Sequence, residues 1–200
     1  MINIVVFASG SGTNFQSIID ATESGQINGR IAGLITNKTG IQAIERAKNH
    51  GIEHATLAPS QFDNHQDYYE ALVDQLQTWD TDLIALAGYM IKIPVPIIEA
   101  YEGRILNIHP SLLPKYGGKG FYGMNVHRAV IENEEAESGC TVHVVTEEYD
   151  QGPILAQTKV PVKDSDDAKS LSKRILKEEH KLFPHVIAKL ADQLIQKYNS

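Results

Sequence analysis

Residues 2 to 14 read INIVVFASGSGTN, a seven-residue run from Ile2 to Ala8 that is apolar but for Asn3, followed by a loop built from Ser9, Gly10, Ser11, Gly12, Thr13 and Asn14. A run of β-branched and apolar residues without polar alternation has no face suited to water, so it reads as a strand covered on both sides, as in a parallel sheet. After the glycines, Phe15, Ile18, Ile19 and Thr22 recur at the i, i+3, i+4, i+7 spacing of one helix face, and Gly25 marks the end of that helix. Strand, glycine loop and helix form one β-loop-α unit. Further strands are expected at 31–36, 53–57, 82–87 and 104–108, alternating with helices near 41–49, 64–78 and 94–101. Such alternation implies an α/β fold with a doubly wound, mainly parallel sheet.

The second half of the chain changes pattern. A helix is expected from His127 to Asn133, with Arg128 and Glu132 spaced for an i, i+4 pair and His127 at the surface or helix start. From Gly139 to Thr146 the residues alternate, with Thr141, His143 and Val145 on one side and Val142 and Val144 on the other. A second extended run follows at 153–162, so these two are expected as antiparallel strands at the sheet edge. Beyond Asp164 or Ser165 as N-cap, a broad apolar stripe through Leu171, Ile175, Leu182, Val186, Leu190 and Leu194 predicts a long C-terminal helix that closes one domain spanning 1–200. Pro184 predicts a kink or break at Phe183, and Glu179 and His180, read locally, belong on the solvent side.

Composition narrows the function. A chain of 200 residues with a formal net charge of -7 lacks the general positive field that polymeric nucleic acid or an anionic membrane selects. Its single cysteine, Cys140, permits neither an internal disulfide nor a thiolate zinc cluster, which fits a reducing, cytoplasmic location. No apolar run is long enough for a spanning helix. No group of Asp, Glu and His shows metal-ligand spacing, and no Ser or Cys sits in a nucleophile elbow.

The glycine loop is not a dinucleotide fingerprint, because Phe15 stands where the third glycine belongs and the second strand ends in Thr36, Asn37 and Lys38 without an acid. A Gly-Lys-Ser/Thr step is also missing. What remains is a small nest of backbone amides at a helix start, suited to one phosphate monoester.

Two other loops share the carboxyl ends of strands with it, where ligands of open α/β sheets collect. Gly88 to Pro94 is an apolar loop carrying one basic residue, Lys92, and suits a flat heterocycle. Asn107-Ile108-His109-Pro110-Ser111-Leu112-Leu113-Pro114 places two hydrogen-bonding side chains, two residues apart and therefore on one face, where a buried strand meets a loop stiffened by two prolines. The bracketing prolines make Leu113-Pro114 a candidate cis bond. Lys115 to Gly123, with four glycines and two lysines, has the composition of a mobile cationic flap. Asp150, in the turn between the edge strands, is locally a backbone-capping residue.

The octapeptide from Asn107 to Pro114 resembles the signature of folate-dependent formyltransferases. The resemblance extends along the chain through Gly12-Thr13-Asn14, Ala87-Gly88-Tyr89-Met90, the pair of segments Gly139 to Val142 and Asp150 to Ile154, and Glu179-His180. It is similar in particular to the phosphoribosylglycinamide formyltransferase branch. That resemblance implies transfer of a formyl group from 10-formyltetrahydrofolate, as donor cosubstrate, to the amine of glycinamide ribonucleotide in purine biosynthesis, without a metal. It implies Asn107, His109 and Asp150 as catalytic residues, with Asp150 raising the pKa of His109 so that the imidazolium and Asn107 donate to the formyl oxygen. It further implies Gly12, Thr13, Asn14 and Glu179 on the ribonucleotide, and Met90, Ile91, Lys92, Ile93 and Asn107 on the folate.

The chain departs from the family pattern at Ile91, where an arginine is common and Lys92 follows one position later, near His65, where a usual basic residue is replaced, and in the glycine-rich insertion after Lys115. Expected partners are small molecules, with no nucleic acid or membrane, in a monomer or homodimer. The alternatives are a methionyl-tRNA formyltransferase, which is expected to add a basic domain beyond the closing helix, and a formyltetrahydrofolate hydrolase, which is expected to add a regulatory one. A nucleotide-binding module without catalysis is the reading the glycine loop alone permits.

Overall fold

The computed structural model describes residues 1–199. Seven strands, β1 (Ile2–Ala8), β2 (Gly29–Thr36), β3 (His54–Thr56), β4 (Leu83–Leu86), β5 (Ile105–His109), β6 (Glu137–Val144) and β7 (Ile154–Pro161), form one sheet in the order β3-β2-β1-β4-β5-β6-β7. The first five are parallel, and β6 and β7 add antiparallel strands at one edge, which is the expected mainly parallel, doubly wound sheet.

Five α-helices lie between strands, α1 (Thr13–Glu23), α2 (Gln42–Asn49), α3 (His65–Thr78), α4 (Val95–Ala100) and α5 (Met124–Glu132), and a sixth, α6 (Ala168–Tyr198), follows β7. They cover both faces. In β1, Ile4, Val6 and Ala8 face a core shared with α1, α2, α5 and α6, whereas Val5 and Phe7 face a second core built on Tyr68, Leu72, Leu76 and Ile97 of α3 and α4. Apart from Asn3 near its start, the strand is apolar because each side meets a different layer of helices.

The C-terminal helix differs from expectation at both marked points. Its N-cap is Asp167 rather than Asp164 or Ser165: Asp167 accepts from the Ser170 amide at 2.7 Å and Ser170 Oγ accepts from the Asp167 amide at 3.0 Å. Asp166 is occupied instead by Arg174, which donates to both of its oxygens at 2.6 and 2.7 Å. The helix also runs unbroken through Pro184. An interior proline costs about 3 kcal/mol. Here Phe183, Pro184, Val186 and Ile187 are all buried, so packing outweighs the lost backbone bond.

Smaller shifts have local causes. Helix α5 starts at Met124, earlier than expected, after Gly123 with φ 51°, and Arg128 donates to Asn125 rather than pairing with Glu132. That earlier start places His127 within the first turns and turns it inward. It is buried, not at the surface.

Candidate active site

A cleft of about 450 Å³ opens beside the carboxyl ends of β4 and β5, walled by the Gly88 to Ile93 loop, the glycine-rich loop from Gly118 to Gly123, and the β6–β7 turn. Asn107 and His109 share one face of β5 and line this cleft. The antiparallel register pairs Asn107 with His143 and His109 with Thr141, so β6 delivers a second histidine to the same face. Asp150, in the turn after β6, adopts φ 55°, a left-handed conformation that aspartate tolerates better than most residues. The chain thus brings Asn107, His109 and Asp150 together as expected, and adds His143.

The hydrogen-bond partners fix where the protons sit. His143 Nδ1 lies 3.0 Å from the carbonyl of Val144, and a carbonyl only accepts, so Nδ1 carries hydrogen and Nε2 of the neutral ring is an acceptor. Asn107 Nδ2 donates to it at 3.0 Å. By the same logic His109 Nε2 donates to the Tyr116 carbonyl at 2.7 Å, which leaves the lone pair of the neutral ring on Nδ1. That atom is 3.6 Å from Asp150 Oδ1, an electrostatic contact too long for a hydrogen bond. Asp150 Oδ1 is also 3.5 Å from His143 Nε2, while Oδ2 accepts from the Gly118 amide at 2.8 Å.

Burial sets the titration of this group. The His109 imidazole is pushed below its usual value, because loss of water outweighs the Asp150 carboxylate and the Tyr116 carbonyl that favour the cation. The expectation of a raised His109 pKa is therefore corrected: a ring 5% exposed loses more from dehydration than a carboxylate beyond hydrogen-bond range returns. Burial pushes Asp150 the other way, but His143 and His109, in the forms that carry a proton toward it, and the Gly118 amide hold its carboxyl below the ordinary range. His127 is dehydrated and faces the charge of His109, which brings it down to about 4. Cys140 is pushed up to about 12 by burial and by Glu179 and Glu178, which leaves no thiolate near neutrality.

The loop after His109 is held from β6 and β7. Thr141 Oγ1 donates to the Ser111 carbonyl at 2.6 Å and accepts from the Leu113 amide at 3.1 Å, and Gln157 Nε2 donates to the Leu113 carbonyl at 2.9 Å. Leu113-Pro114 is cis, as its bracketing prolines predicted. The glycine-rich segment is bound to the site through its root, since Tyr116 and Gly118 engage His109 and Asp150 directly.

A second cluster lies where α1 begins. Gly12 takes φ 68° and precedes Thr13 and Asn14, the first residues of α1, which packs on α6. Asn14 Nδ2 donates to Glu179 Oε2 at 2.6 Å, and Asn14 Oδ1 is buried without a partner. Glu179 is 7% exposed, not on the solvent side, because the α1–α6 contact covers its helix face. Burial raises its pKa more than the Asn14 hydrogen bond lowers it. His180 is half-buried on the same helix. On the other flank, Met90 to Ile93 line the cleft as expected: Met90 is exposed, Ile93 is buried, and Lys92 Nζ stands 5.3 Å from the Tyr149 ring centroid. Among the described residues, no group of three or more His, Cys, Asp or Glu is arranged to hold a metal ion, and no helix is long and apolar enough to cross a membrane.

His143 is the site residue that the linear sequence concealed. Its inward alternation with Thr141 was visible, but its place opposite Asn107 depends on a β5–β6 register that only the folded sheet defines.

Residues 2–187 match the formyl transferase family model. Over 191 residues the chain is 40% identical to the phosphoribosylglycinamide formyltransferase of Escherichia coli (strain K12), covering 96% of this chain and 88% of that protein. It is 45% identical over 193 residues to the chloroplastic phosphoribosylglycinamide formyltransferase of Vigna unguiculata, again over 96% of this chain, but spans only 62% of that longer relative. Among solved structures, glycinamide ribonucleotide transformylase 1 from Symbiobacterium toebii superposes with a TM-score of 0.90 at 40% identity, covering 96% of this chain and 89% of the other. A formyltetrahydrofolate deformylase from Pseudomonas syringae, at 21% identity and TM-score 0.86, shares the fold. The chain belongs to the formyl transferase family, within its phosphoribosylglycinamide formyltransferase group.

Proposed function

We propose that the protein transfers a formyl group from 10-formyltetrahydrofolate to the amine of glycinamide ribonucleotide. The observation that carries this reading is the group Asn107, His109, His143 and Asp150, set on the wall of an apolar cleft with Lys92 at its side. The donor brings the formyl group and a leaving nitrogen. Its ring system suits the loop of Gly88 to Ile93, whose residues present backbone groups and apolar side chains. The ribonucleotide suits the α1 start: the amides of Gly12 to Asn14 favour a phosphate, and Asn14 and Glu179, hydrogen-bonded to each other, stand beside them.

Each polar group then has a task. Asn107, its amide oriented by His143, keeps a second N–H to stabilise negative charge developing on the formyl oxygen. His109, neutral with its lone pair on Nδ1, accepts a proton from the attacking amine as the new C–N bond forms. Asp150 stabilises the resulting imidazolium from 3.6 Å, and His109 returns the proton to the departing nitrogen as the old C–N bond breaks. One bond forms, one breaks, and one proton moves between the two nitrogens. A cytoplasmic location belongs to the same proposal, supported by the lone buried thiol, Cys140.

The test is incubation with 10-formyltetrahydrofolate with and without glycinamide ribonucleotide. Amine-dependent release of tetrahydrofolate supports the proposal. Release that ignores the amine indicates a hydrolase and overturns it.

A further inference from the structure

Ser9 lies outside the catalytic group yet touches the loops that follow the two strands flanking its own. It follows β1, the strand that sits between β2 and β4, and it is 6% exposed. Its Oγ donates to Asn37 Oδ1 at 2.6 Å in the loop after β2, and accepts from the Met90 amide at 2.9 Å in the loop after β4. Its own amide donates to the Gly88 carbonyl at 3.2 Å. One hydroxyl therefore bridges the ends of three adjacent strands. It also precedes Gly10, the first residue of the amide nest, so the loops assigned above to the two substrates meet at this side chain.

We infer that Ser9, oriented by Asn37, is the positioning residue that sets the backbone of the Gly88 to Ile93 loop and with it the affinity for the folate donor. The inference rests on the function proposed above for the location of the donor, but not on turnover. A peptide N–H at the turn into this loop has to be satisfied, and the geometry supplies one acceptor, Ser9 Oγ, whose own hydrogen is committed to Asn37. Without the hydroxyl, the Met90 amide is released to find water or another carbonyl, and the residues after it, Ile91 to Ile93, lose their reference to the central strand.

Two measurements on the full chain test this, comparing wild type with Ser9→Ala, Ser9→Thr and Asn37→Ala. Tetrahydrofolate titrated by calorimetry should bind Ser9→Ala on the order of 5-fold to 10-fold more weakly, the worth of one hydrogen bond to a part-buried amide. Ser9→Thr, which keeps the hydroxyl, should restore most of the affinity. Asn37→Ala should act in the same direction, and the double variant should be less than additive because both act through one bond. Amide hydrogen exchange should accelerate at Met90 to Ile93 in Ser9→Ala while β1 and β4 stay protected, a local signature that general destabilisation does not give. In the transfer assay the donor KM should rise with kcat changed less than twofold. Unchanged tetrahydrofolate affinity, or exchange that rises evenly over the sheet, overturns the positioning role. A wild-type protein that binds tetrahydrofolate but performs no transfer overturns only the proposed reaction. Absence of tetrahydrofolate binding by wild type overturns both.

Discussion

His109 Nδ1 and Asp150 Oδ1 face each other at 3.6 Å, both side chains being nearly shut off from solvent, and the imidazole is nevertheless the weaker base for being there. Burial costs the cation more than the carboxylate returns. This balance makes Asp150 a stabiliser of a short-lived imidazolium rather than the source of a permanent one. Asp150→Asn removes the one charge that favours protonated His109, so the imidazole pKa moves down further and the pH dependence of kcat/KM moves to lower pH with it. Turnover should fall by roughly 100-fold to 10,000-fold, as for loss of one positioned acid-base group. Near wild-type turnover across about pH 6 to 8.5, the range bracketing the histidine, or a profile displaced to higher pH, would return Asp150 to the role of a turn residue.

The amide nest at α1 offers a pair of substitutions that separate binding from folding. Gly10 has open space where a Cβ would be, whereas a Cβ on Gly12 would lie 2.8 Å from Ala43 Cβ at a backbone φ of 68°. Gly12→Val should therefore weaken both the fold and ribonucleotide binding. Gly10→Val should leave the melting temperature unchanged, because its side chain enters open space, and should weaken ribonucleotide binding alone, because it adds bulk to the loop that is to receive the phosphate. Calorimetry that finds the ribonucleotide affinity of Gly10→Val intact removes the phosphate from this loop.

How far the sequence spoke depended on the range of each signal. The parallel sheet was legible because β1 from Ile2 to Ala8 and the helix face of Phe15, Ile18 and Ile19 are local patterns whose periods differ. Asn107 and His109 were legible because two residues apart on a strand means one face. Three features were not, and each is set by a partner far along the chain. His143 reaches the site through strand register. Glu179 is buried through a hydrogen bond to Asn14, 165 residues away. Pro184 stays helical because its neighbours are core. The protonation of His109 is hidden from the sequence for a related reason: a resemblance can imply the opposite charge beside it, but the depth of burial that overrides that charge belongs to the assembled fold.

Glu179 holds a carboxyl whose pKa is raised by burial, with Asn14 as its hydrogen-bond donor. A carboxyl that binds its proton more tightly when folded contributes stability below its unfolded pKa, near 4.5, and loses that contribution as pH rises toward the folded value. Glu179→Gln removes the titration and keeps an oxygen for Asn14. Its melting temperature should exceed that of wild type at pH 7, and the difference should vanish near pH 4. Ribonucleotide affinity should fall by about 10-fold to 100-fold if the substrate's hydroxyls meet the ionised group. Differential scanning calorimetry at the two pH values checks the first half. A variant less stable than wild type by the same margin at both would show that packing, not charge, governs the site.

His127 is the buried group from which acid denaturation should draw. Its ring is 4% exposed, its Nδ1 has no hydrogen-bond partner, and both dehydration and the nearby His109 oppose its charge, bringing its pKa to about 4. In the unfolded chain the same ring titrates near 6.5. Between those values the unfolded state binds a proton that the folded state refuses, so stability must fall as pH falls through this window. One proton's difference sets a limiting slope of about 1.4 kcal/mol per pH unit. His127→Phe removes this contribution, while His109 and His180, also lowered, keep theirs. Urea unfolding of wild type and His127→Phe at pH 7, 6 and 5 should show the variant losing less stability at each step toward acid, whatever its stability at pH 7. Parallel losses in the two proteins would mean that His127 is protonated in the native state or that its Nδ1 finds a partner, and the buried neutral ring would have to be abandoned.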